Sequence, residues 1–159
     1  MSTTLKLSEE DRSKLIKAAF EAREGSYSPY SKFRVGAALL SPNGEIVKGA
    51  NIENASYGAT ICAERTAMVK AASEGIRKVV ALAVVTDVPD AVSPCGICRQ
   101  FLREFCSLKM PVLMIPANYD AQHPEGVDGK GVIKEVTFEY LLPLSFGPED
   151  LDRPRIPAE

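Results

Sequence analysis

Three of the four cysteines fall in two short segments, and a glutamate accompanies the first of them. Cys95 and Cys98 are separated by two residues, which is the gap typical of a metal-binding pair. Cys62 adds a third thiol, and Glu64 follows it by two positions. Three protein ligands leave the fourth position of a tetrahedral zinc ion free for water, and a carboxylate beside that position can act as a base. The residue types and their spacing therefore predict a catalytic zinc centre.

Each cysteine segment is expected to open a helix. Residues 62–74 are rich in alanine and end at Gly75, and a second helix is expected from about Gly96 to Cys106. The unpaired N–H groups and the macrodipole at a helix N-terminus favour thiolates. Since residues two positions apart do not share a helix face, Glu64 can stand beside the metal without binding it. We expect this carboxylate to move a proton from water to a substrate.

Two arginines directly follow residues of the predicted site, Arg65 after Glu64 and Arg99 after Cys98. We expect both to donate hydrogen bonds to the sulfurs, because three thiolates leave the zinc site with a net negative charge. Cys106 follows Cys98 by eight residues on the same expected helix, about 12 Å along its axis. That distance is too long for a fourth ligand, so Cys106 is predicted to be a buried core thiol.

The remaining elements predict an α/β fold, a three-layer α/β/α sandwich with a five-stranded mixed sheet. Ser8 is expected to cap a first helix, and Asn43-Gly44 indicates a hairpin between two strands. The strand–helix–strand unit of residues 79–115 is predicted to be a parallel crossover. The link from residue 115 to residue 132 shows no helical period, so the last strand is expected to be antiparallel.

Length and composition favour one domain over residues 1–159, with residues 1–7 and 150–159 as flexible tails. The 45% hydrophobic and 25% charged content is that of an ordinary globular protein. A net charge of −2 gives no electrostatic footprint for nucleic acid or an anionic membrane. No apolar run approaches the roughly 20 residues that span a bilayer, and residues 1–6 contain no apolar signal core. We therefore expect a cytoplasmic location.

The sequence resembles the zinc nucleoside deaminases, specifically the small homotetrameric cytidine deaminases, through residues 62–65 (CAER) and 94–100 (PCGICRQ). The likeness extends from residues 27–33 to residues 141–148 and includes residues 51–57, which separate free-nucleoside deaminases from nucleic-acid editors. It implies a five-stranded deaminase fold, one zinc ion per subunit and a role in pyrimidine salvage. The implied reaction is the hydrolytic deamination of cytidine and 2′-deoxycytidine to uridine and 2′-deoxyuridine, with release of ammonia.

Within one subunit, the resemblance implies a role for five residues. Asn51 and Glu53 hold the ribose 3′-hydroxyl, and Phe33 stacks on the pyrimidine ring. Ala63 meets the edge of the base through its backbone amide. Glu64 meets the same edge through its carboxylate, protonates N3 and helps ammonia to leave.

Between subunits, the resemblance implies that neighbouring chains share their active sites. Ala55 and Tyr57 are expected to reach the 5′-hydroxyl of the site in a neighbouring subunit, and Phe146 to close over its base. An isolated monomer is therefore expected to be poorly active. The partners implied are a small nucleoside and further copies of this chain in a homotetramer, without nucleic acid or a membrane.

Three other interpretations are weighed against this one. A deaminase of a related cytosine-containing nucleoside fits the same zinc motif, although Asn51 and Glu53 favour an unmodified ribose. A non-catalytic zinc-stabilised scaffold predicts four protein ligands and no open position. A nucleic-acid editor is disfavoured because the chain has no basic stripe. Residues 118–131 form a longer link than expected in this family; they and the lone His123 are predicted to be exposed.

Overall fold

Five strands form one mixed sheet in the order β2-β1-β3-β4-β5. The computed structural model describes residues 6–157. The helices and strands are α1 (Glu9–Arg23), β1 (Gly36–Leu40), β2 (Ile46–Ala50), α2 (Ala63–Ser73), β3 (Ala81–Val85), α3 (Gly96–Leu102), β4 (Pro111–Ile115), β5 (Lys134–Thr137) and α4 (Phe138–Leu141).

The strand directions follow from the connections. β1 and β2 pair antiparallel across a tight turn in which Gly44 adopts a positive φ of 85°, as the Asn-Gly signal predicts. β3 and β4 pair parallel, with α3 as their crossover. β5 pairs antiparallel with β4, so the predictions for the crossover and for the last strand are both confirmed.

Alternate residues of the central strands face opposite layers of the sandwich. Ala81 and Ala83 belong to a cluster with Leu15 and Ala19 of α1. Leu82 and Val84 belong to the other cluster, which contains buried residues of α2, α3 and α4. The predicted three-layer α/β/α arrangement is therefore confirmed. The helices that begin beside the cysteines lie together on one face of the sheet.

α1 begins and packs as its sequence predicts. The Ser8 side chain accepts a hydrogen bond from the Asp11 N–H at 3.0 Å, which caps the helix N-terminus. Its buried residues recur at helical spacing. α1 covers the sheet face opposite the cysteines.

Close backbone packing holds α2 against the hairpin. Gly49 on β2 lies so near α2 that an added Cβ would be 2.6 Å from the Ala63 carbonyl oxygen and would also collide with the Ala67 nitrogen. Both are backbone atoms, so the contact requires a residue without a side chain. Gly49 therefore sets the distance between β2 and the helix that follows Cys62.

α3 is shorter than its sequence predicts. It ends at Leu102 and not near Cys106, because the chain turns and the Phe105 carbonyl accepts from the Val79 N–H at 3.0 Å. Cys106 forms an isolated bridge with Val79 and is half-buried against the core. The prediction that Cys106 lies on α3 is wrong, because pairing with Val79, just before β3, replaces the last helical turn.

The link before β5 is a surface segment, as predicted. Residues 118–130 are mostly exposed, and Val127 and Lys130 form a short bridge within it. The lone His123 is exposed there, with 60% of its side chain accessible.

Residues 1–5 and 158–159 lie outside the described residues, so the prediction of flexible tails falls partly beyond the structure. Within residues 6–157, no helix has the length and apolar character needed to cross a bilayer.

Candidate active site

The three cysteines of the two motifs converge where α2 and α3 begin. Cys62 is the N-cap of α2, Cys95 is the N-cap of α3, and Cys98 lies in the first turn of α3. Their sulfurs all lie within 4.8 Å of one another, and those of Cys62 and Cys95 are 3.8 Å apart. Tetrahedral zinc with Zn–S bonds of about 2.3 Å requires sulfurs about 3.8 Å apart. The donor set therefore fits a zinc ion.

The surroundings of the cysteines shift the pKa values of two of their thiols. A hydrogen bond with Cys98 lowers the pKa of the Cys62 thiol to about 5, and the Arg65 guanidinium contributes to the lowering. The same hydrogen bond is the main cause that raises the pKa of the Cys98 thiol, and burial is the second cause. A cation bound by the three sulfurs would favour the thiolate form of each cysteine, because ligand thiols bind a metal only after losing their protons.

The two neighbouring arginines behave differently. Arg65 Nη2 lies 3.6 Å from the Cys62 sulfur, and its buried Nε has no partner among the described residues. Arg99 does not donate to a sulfur. Its three donor nitrogens contact other acceptors at 2.7 Å: the Pro94 carbonyl, the Leu141 carbonyl and the Ser93 hydroxyl. The prediction of a sulfur contact is therefore wrong for Arg99, which instead holds the segment preceding Cys95.

Glu64 is placed in the first turn of α2 with its side chain inside the protein. The residue is only 4% exposed, and burial raises the pKa of its carboxyl group to about 7. The neighbouring Cys62 thiolate acts in the same direction. A cation held by the sulfurs would lower this pKa again. Burial and a bound cation therefore shift the pKa of Glu64 in opposite directions.

A cavity of about 190 Å³ opens beside the cysteines. Four residues implied by the resemblance line it together with Cys62 and Cys95: Phe33, Asn51, Ala63 and Glu64. Six further lining residues were missed: Val35, Thr60, Val84, Thr86, Val92 and Ser93. Val84 and Thr86 were detectable in principle, because ligands of α/β proteins bind outside the carboxyl ends of strands.

Asn51 is held in one orientation at the edge of this cavity. Its Oδ1 accepts from the Val35 N–H at 2.9 Å and from the Ser26 hydroxyl at 2.5 Å. Its Nδ2 donates to the Phe33 carbonyl at 2.9 Å. The side-chain amide cannot flip without losing these bonds, so one N–H remains for a ligand.

Glu53 lines a second cavity of about 260 Å³, together with Tyr30, Ser31, Tyr57 and Thr60. Since Thr60 lines both cavities, the two adjoin. The Glu53 carboxylate accepts from the Ser31 hydroxyl, from the Tyr30 N–H at 2.9 Å and from the Ser31 N–H at 3.2 Å. The hydroxyl contact is the main cause that holds the pKa of Glu53 below its ordinary value. The Glu53 carboxylate and the Asn51 amide therefore line neighbouring cavities that share Thr60.

The three residues implied to act between subunits lie on the surface of the single chain. Ala55 is exposed, and Tyr57 is 74% exposed, with its ring 5.8 Å from that of Tyr30. Phe146 is 58% exposed and does not line either cavity. Its carbonyl accepts from Gln100 Nε2 at 3.0 Å, which ties this segment to α3.

Known proteins show a similar sequence and fold. Residues 9–114 match the cytidine and deoxycytidylate deaminase zinc-binding region. A cytidine deaminase of Halalkalibacterium halodurans is 51% identical over 142 residues, which cover 89% of this chain and 98% of that protein. One from Sporosarcina psychrophila is 50% identical over 141 residues, covering 89% of this chain and 95% of that one.

Among solved structures, the cytidine deaminase of Burkholderia pseudomallei superposes with a TM-score of 0.74 at 37% identity. The match covers 88% of this chain and all of that one. With the sulfur cluster and the cavity beside it, these matches show that the chain belongs to the zinc-binding cytidine and deoxycytidylate deaminase family.

Proposed function

We propose that this protein catalyses the zinc-dependent hydrolytic deamination of cytidine and 2′-deoxycytidine to the corresponding uridines. The observation that carries the proposal is the buried Glu64 carboxylate on the wall of a cavity that also reaches Cys62 and Cys95. A metal-binding sulfur cluster, a proton-transferring carboxylate and a space for the ring meet at one place. The chemistry of an amidine hydrolysis needs all three.

In this proposal Cys62, Cys95 and Cys98 hold the zinc ion. When bound, zinc acts as a Lewis acid that lowers the pKa of a water molecule to near neutrality. Three thiolates weaken that effect through their negative charge, and Arg65 beside Cys62 offsets part of it. Arg99 supports the cluster indirectly, by holding Ser93 and Pro94 before the second ligand.

Glu64 is the proton carrier of the proposed reaction. It accepts the proton of the attacking water and delivers it to N3 of the pyrimidine, and then assists the departure of ammonia from C4. Its burial supports this role, because burial keeps the carboxyl group away from bulk water and raises its pKa, against the lowering by a bound cation. Its place in the cavity wall brings it within reach of a bound ring.

The nucleoside is held by groups on both cavities. We assign Phe33 to stacking on the pyrimidine ring and the Ala63 backbone amide to the edge of the base. Asn51 and Glu53 bind the ribose 3′-hydroxyl: the amide has one free N–H, and the carboxylate can accept the hydroxyl hydrogen. A site with polar groups built for a sugar hydroxyl penalises a free base that leaves them unpaired.

We further propose a homotetramer whose sites are shared. Ala55 and Tyr57 would reach the 5′-hydroxyl in a neighbouring subunit, and Phe146 would cover its base. The exposure of the Tyr57 and Phe146 side chains supports this assignment, because 74% of the first and 58% of the second are accessible among the described residues. Such sharing makes the isolated chain poorly active.

The experiment is a cytidine deamination assay on the zinc-loaded chain with and without a chelator, run beside a sizing column. Activity that disappears with the chelator and returns with zinc supports the proposal, as does elution near four times 17.2 kDa. A panel of cytosine nucleosides with altered sugars separates cytidine from a related substrate. A zinc-bound chain that deaminates none of them would instead support a zinc-stabilised scaffold.

Sharing of sites has its own test. Glu64→Gln and Phe146→Ala each disable the sites to which they contribute. Mixed tetramers of the two variants contain some sites with both an intact Glu64 and a neighbour's intact Phe146. Activity above that of either variant alone is expected, and the lack of any gain would contradict the proposed position of Phe146.

For the cellular role we propose pyrimidine salvage in the cytoplasm. The four cysteines are all free thiols in the structure, and thiols that hold zinc persist where the compartment is reducing.

A further inference from the structure

Three consecutive backbone N–H groups beside the cavity are bonded to side chains. They belong to residues 33–35, which precede β1. Their acceptors lie at 3.0, 2.9 and 2.9 Å: Ser31 Oγ for Phe33, Asp87 Oδ2 for Arg34 and Asn51 Oδ1 for Val35. Because backbone groups need partners, the path of this segment depends on those three side chains.

Asp87 is an acceptor that lies outside this segment's own loop. It follows Thr86 at the end of β3, and its carboxylate also binds the side chain of Arg34 in a bidentate manner. The two distances are 3.1 Å from Nε to Oδ2 and 2.9 Å from Nη2 to Oδ1. One carboxylate therefore holds both the backbone and the side chain of Arg34.

The charges around Asp87 keep it ionised. The Arg34 guanidinium holds the pKa of Asp87 below its ordinary value, and Arg23 lies 3.7 Å from the same carboxylate. On its far side Arg34 donates to Glu24 at 3.0 Å. Arg23 also donates to the Thr86 carbonyl at 2.8 Å. The cluster thus joins the end of α1, the end of β3 and the segment that carries Phe33.

We propose that Asp87 is a positioning residue for the substrate, because it holds the Phe33 ring in the cavity wall through the backbone of Arg34. Phe33 and Thr86 both line the cavity, and Asp87 connects their two segments. The inference rests on the proposed function, in which Phe33 stacks on the pyrimidine ring. Asp87 does not line the cavity itself and acts through its neighbours.

The expected effect is a loss of substrate binding with chemistry preserved. When the stacking ring is no longer held in place, the substrate binds more weakly, while the proton-transfer step is little changed. Glu64 and the cysteines belong to α2 and α3, which Asp87 does not contact through any hydrogen bond. Asp87→Ala is therefore expected to raise KM for cytidine about 10-fold and to keep kcat within about twofold.

The experiment compares five variants of the zinc-loaded full chain: Asp87→Ala, Asp87→Asn, Phe33→Ala, the double variant Phe33→Ala/Asp87→Ala and the control Asp90→Ala. Asp90 is exposed in the same loop and should behave as the parent. Asp87→Asn keeps one oxygen for the Arg34 N–H and loses the charge, so its KM should lie between those of the parent and Asp87→Ala. In the Phe33→Ala background, Asp87→Ala should have no further effect.

Hydrogen exchange of residues 33–35 provides a readout that needs no activity. Exchange of the Arg34 amide should rise about 10-fold or more in Asp87→Ala and stay unchanged in Asp90→Ala. If the parent fails to deaminate cytidine, the proposed function falls, and exchange still decides whether Asp87 holds this segment. Unchanged exchange, an unchanged KM, or an equal rise in KM with and without Phe33 would overturn the proposal. If Asp87→Ala does not fold, Asp87→Asn decides by KM: a rise above the parent value in the presence of Phe33, absent in the Phe33→Ala background, supports the proposal, and an unchanged KM overturns it.

Discussion

At the residue scale, burial distinguishes Glu64 from the other carboxylates that the structure describes. Its neighbour Cys62 is two positions away and half-buried, whereas Glu64 is 4% exposed inside the cavity wall. Cys62 is the N-cap of α2, and Glu64 lies in its first turn. Because residues two positions apart do not share a helix face, the sulfur faces the metal site and the carboxylate faces the cavity. Their separate roles thus depend on two positions, the N-cap of α2 and a residue of its first turn.

Replacing Glu64 by Gln should abolish turnover without loss of the metal. The amide keeps the size of the side chain and cannot accept a proton, so kcat should fall by about 10³-fold. Deamination rates and zinc content per chain measure the two effects. Glu74→Gln, an exposed position just after the same helix, is the matched control. A near-normal rate in Glu64→Gln would refute the assigned role.

Cys106 predicts a specific pH dependence of stability. Burial raises the pKa of this thiol from 9.0 to about 12. Between those values the unfolded chain loses a proton that the folded chain keeps, so the free energy of unfolding falls as pH rises from about 9 towards 12. Cys106→Ala lacks this contribution. The stability difference between parent and variant should therefore shrink from about pH 8 to about pH 11, as denaturant unfolding with a reductant can measure. A constant difference would contradict the assignment.

At the scale of elements, the site depends on where α2 and α3 begin. β3 and β4 pair parallel around α3, which brings Cys95 and Cys98 to the carboxyl end of the sheet. α2 is held against β2 by the close approach at Gly49 and supplies Cys62. The distances between the sulfurs therefore depend on the position of α2 relative to α3.

Gly49→Ala should disturb that placement. The added Cβ would collide with backbone atoms of α2 at Ala63 and Ala67, which can retreat only if the helix moves. We expect a loss of about 1–3 kcal/mol in the free energy of unfolding and weaker zinc binding. Denaturant unfolding and competition with a chelator measure these. Gly25→Ala is the control, because its Cβ would make an ordinary contact at 3.4 Å. Equal behaviour of the two variants would mean that α2 is not confined at Gly49.

At the scale of the whole molecule, the zinc ion joins segments that are distant in the chain. Residues 62 and 95 are separated by α2, β3 and two loops, and the sulfurs meet only in the folded state. Since the unfolded chain lacks this arrangement, binding of the metal contributes to folding stability. The metal thus has a structural effect beside its chemical one.

Removal of zinc should lower the melting temperature by roughly 10 °C, the shift expected when a tightly bound ligand is lost from a domain of this size. Circular dichroism with and without chelator measures it, and added zinc should restore the original value. Cys106→Ala should show the same chelator effect as the parent, since its sulfur is outside the cluster. An unchanged melting temperature would show that the sulfurs do not hold a metal.

The sequence by itself determined the hairpin, the parallel crossover, the antiparallel last strand and the sulfur ligand set, because hydrophobic periodicity and ligand spacing are local properties. Only the tertiary structure decided that α3 ends at Leu102, since pairing with Val79 competes with helix continuation. It also turned Arg99 away from the sulfurs to the Leu141 carbonyl and brought Asp87 to the backbone of Arg34. Those contacts join residues far apart in the chain, and no local pattern records which distant acceptor a donor will meet.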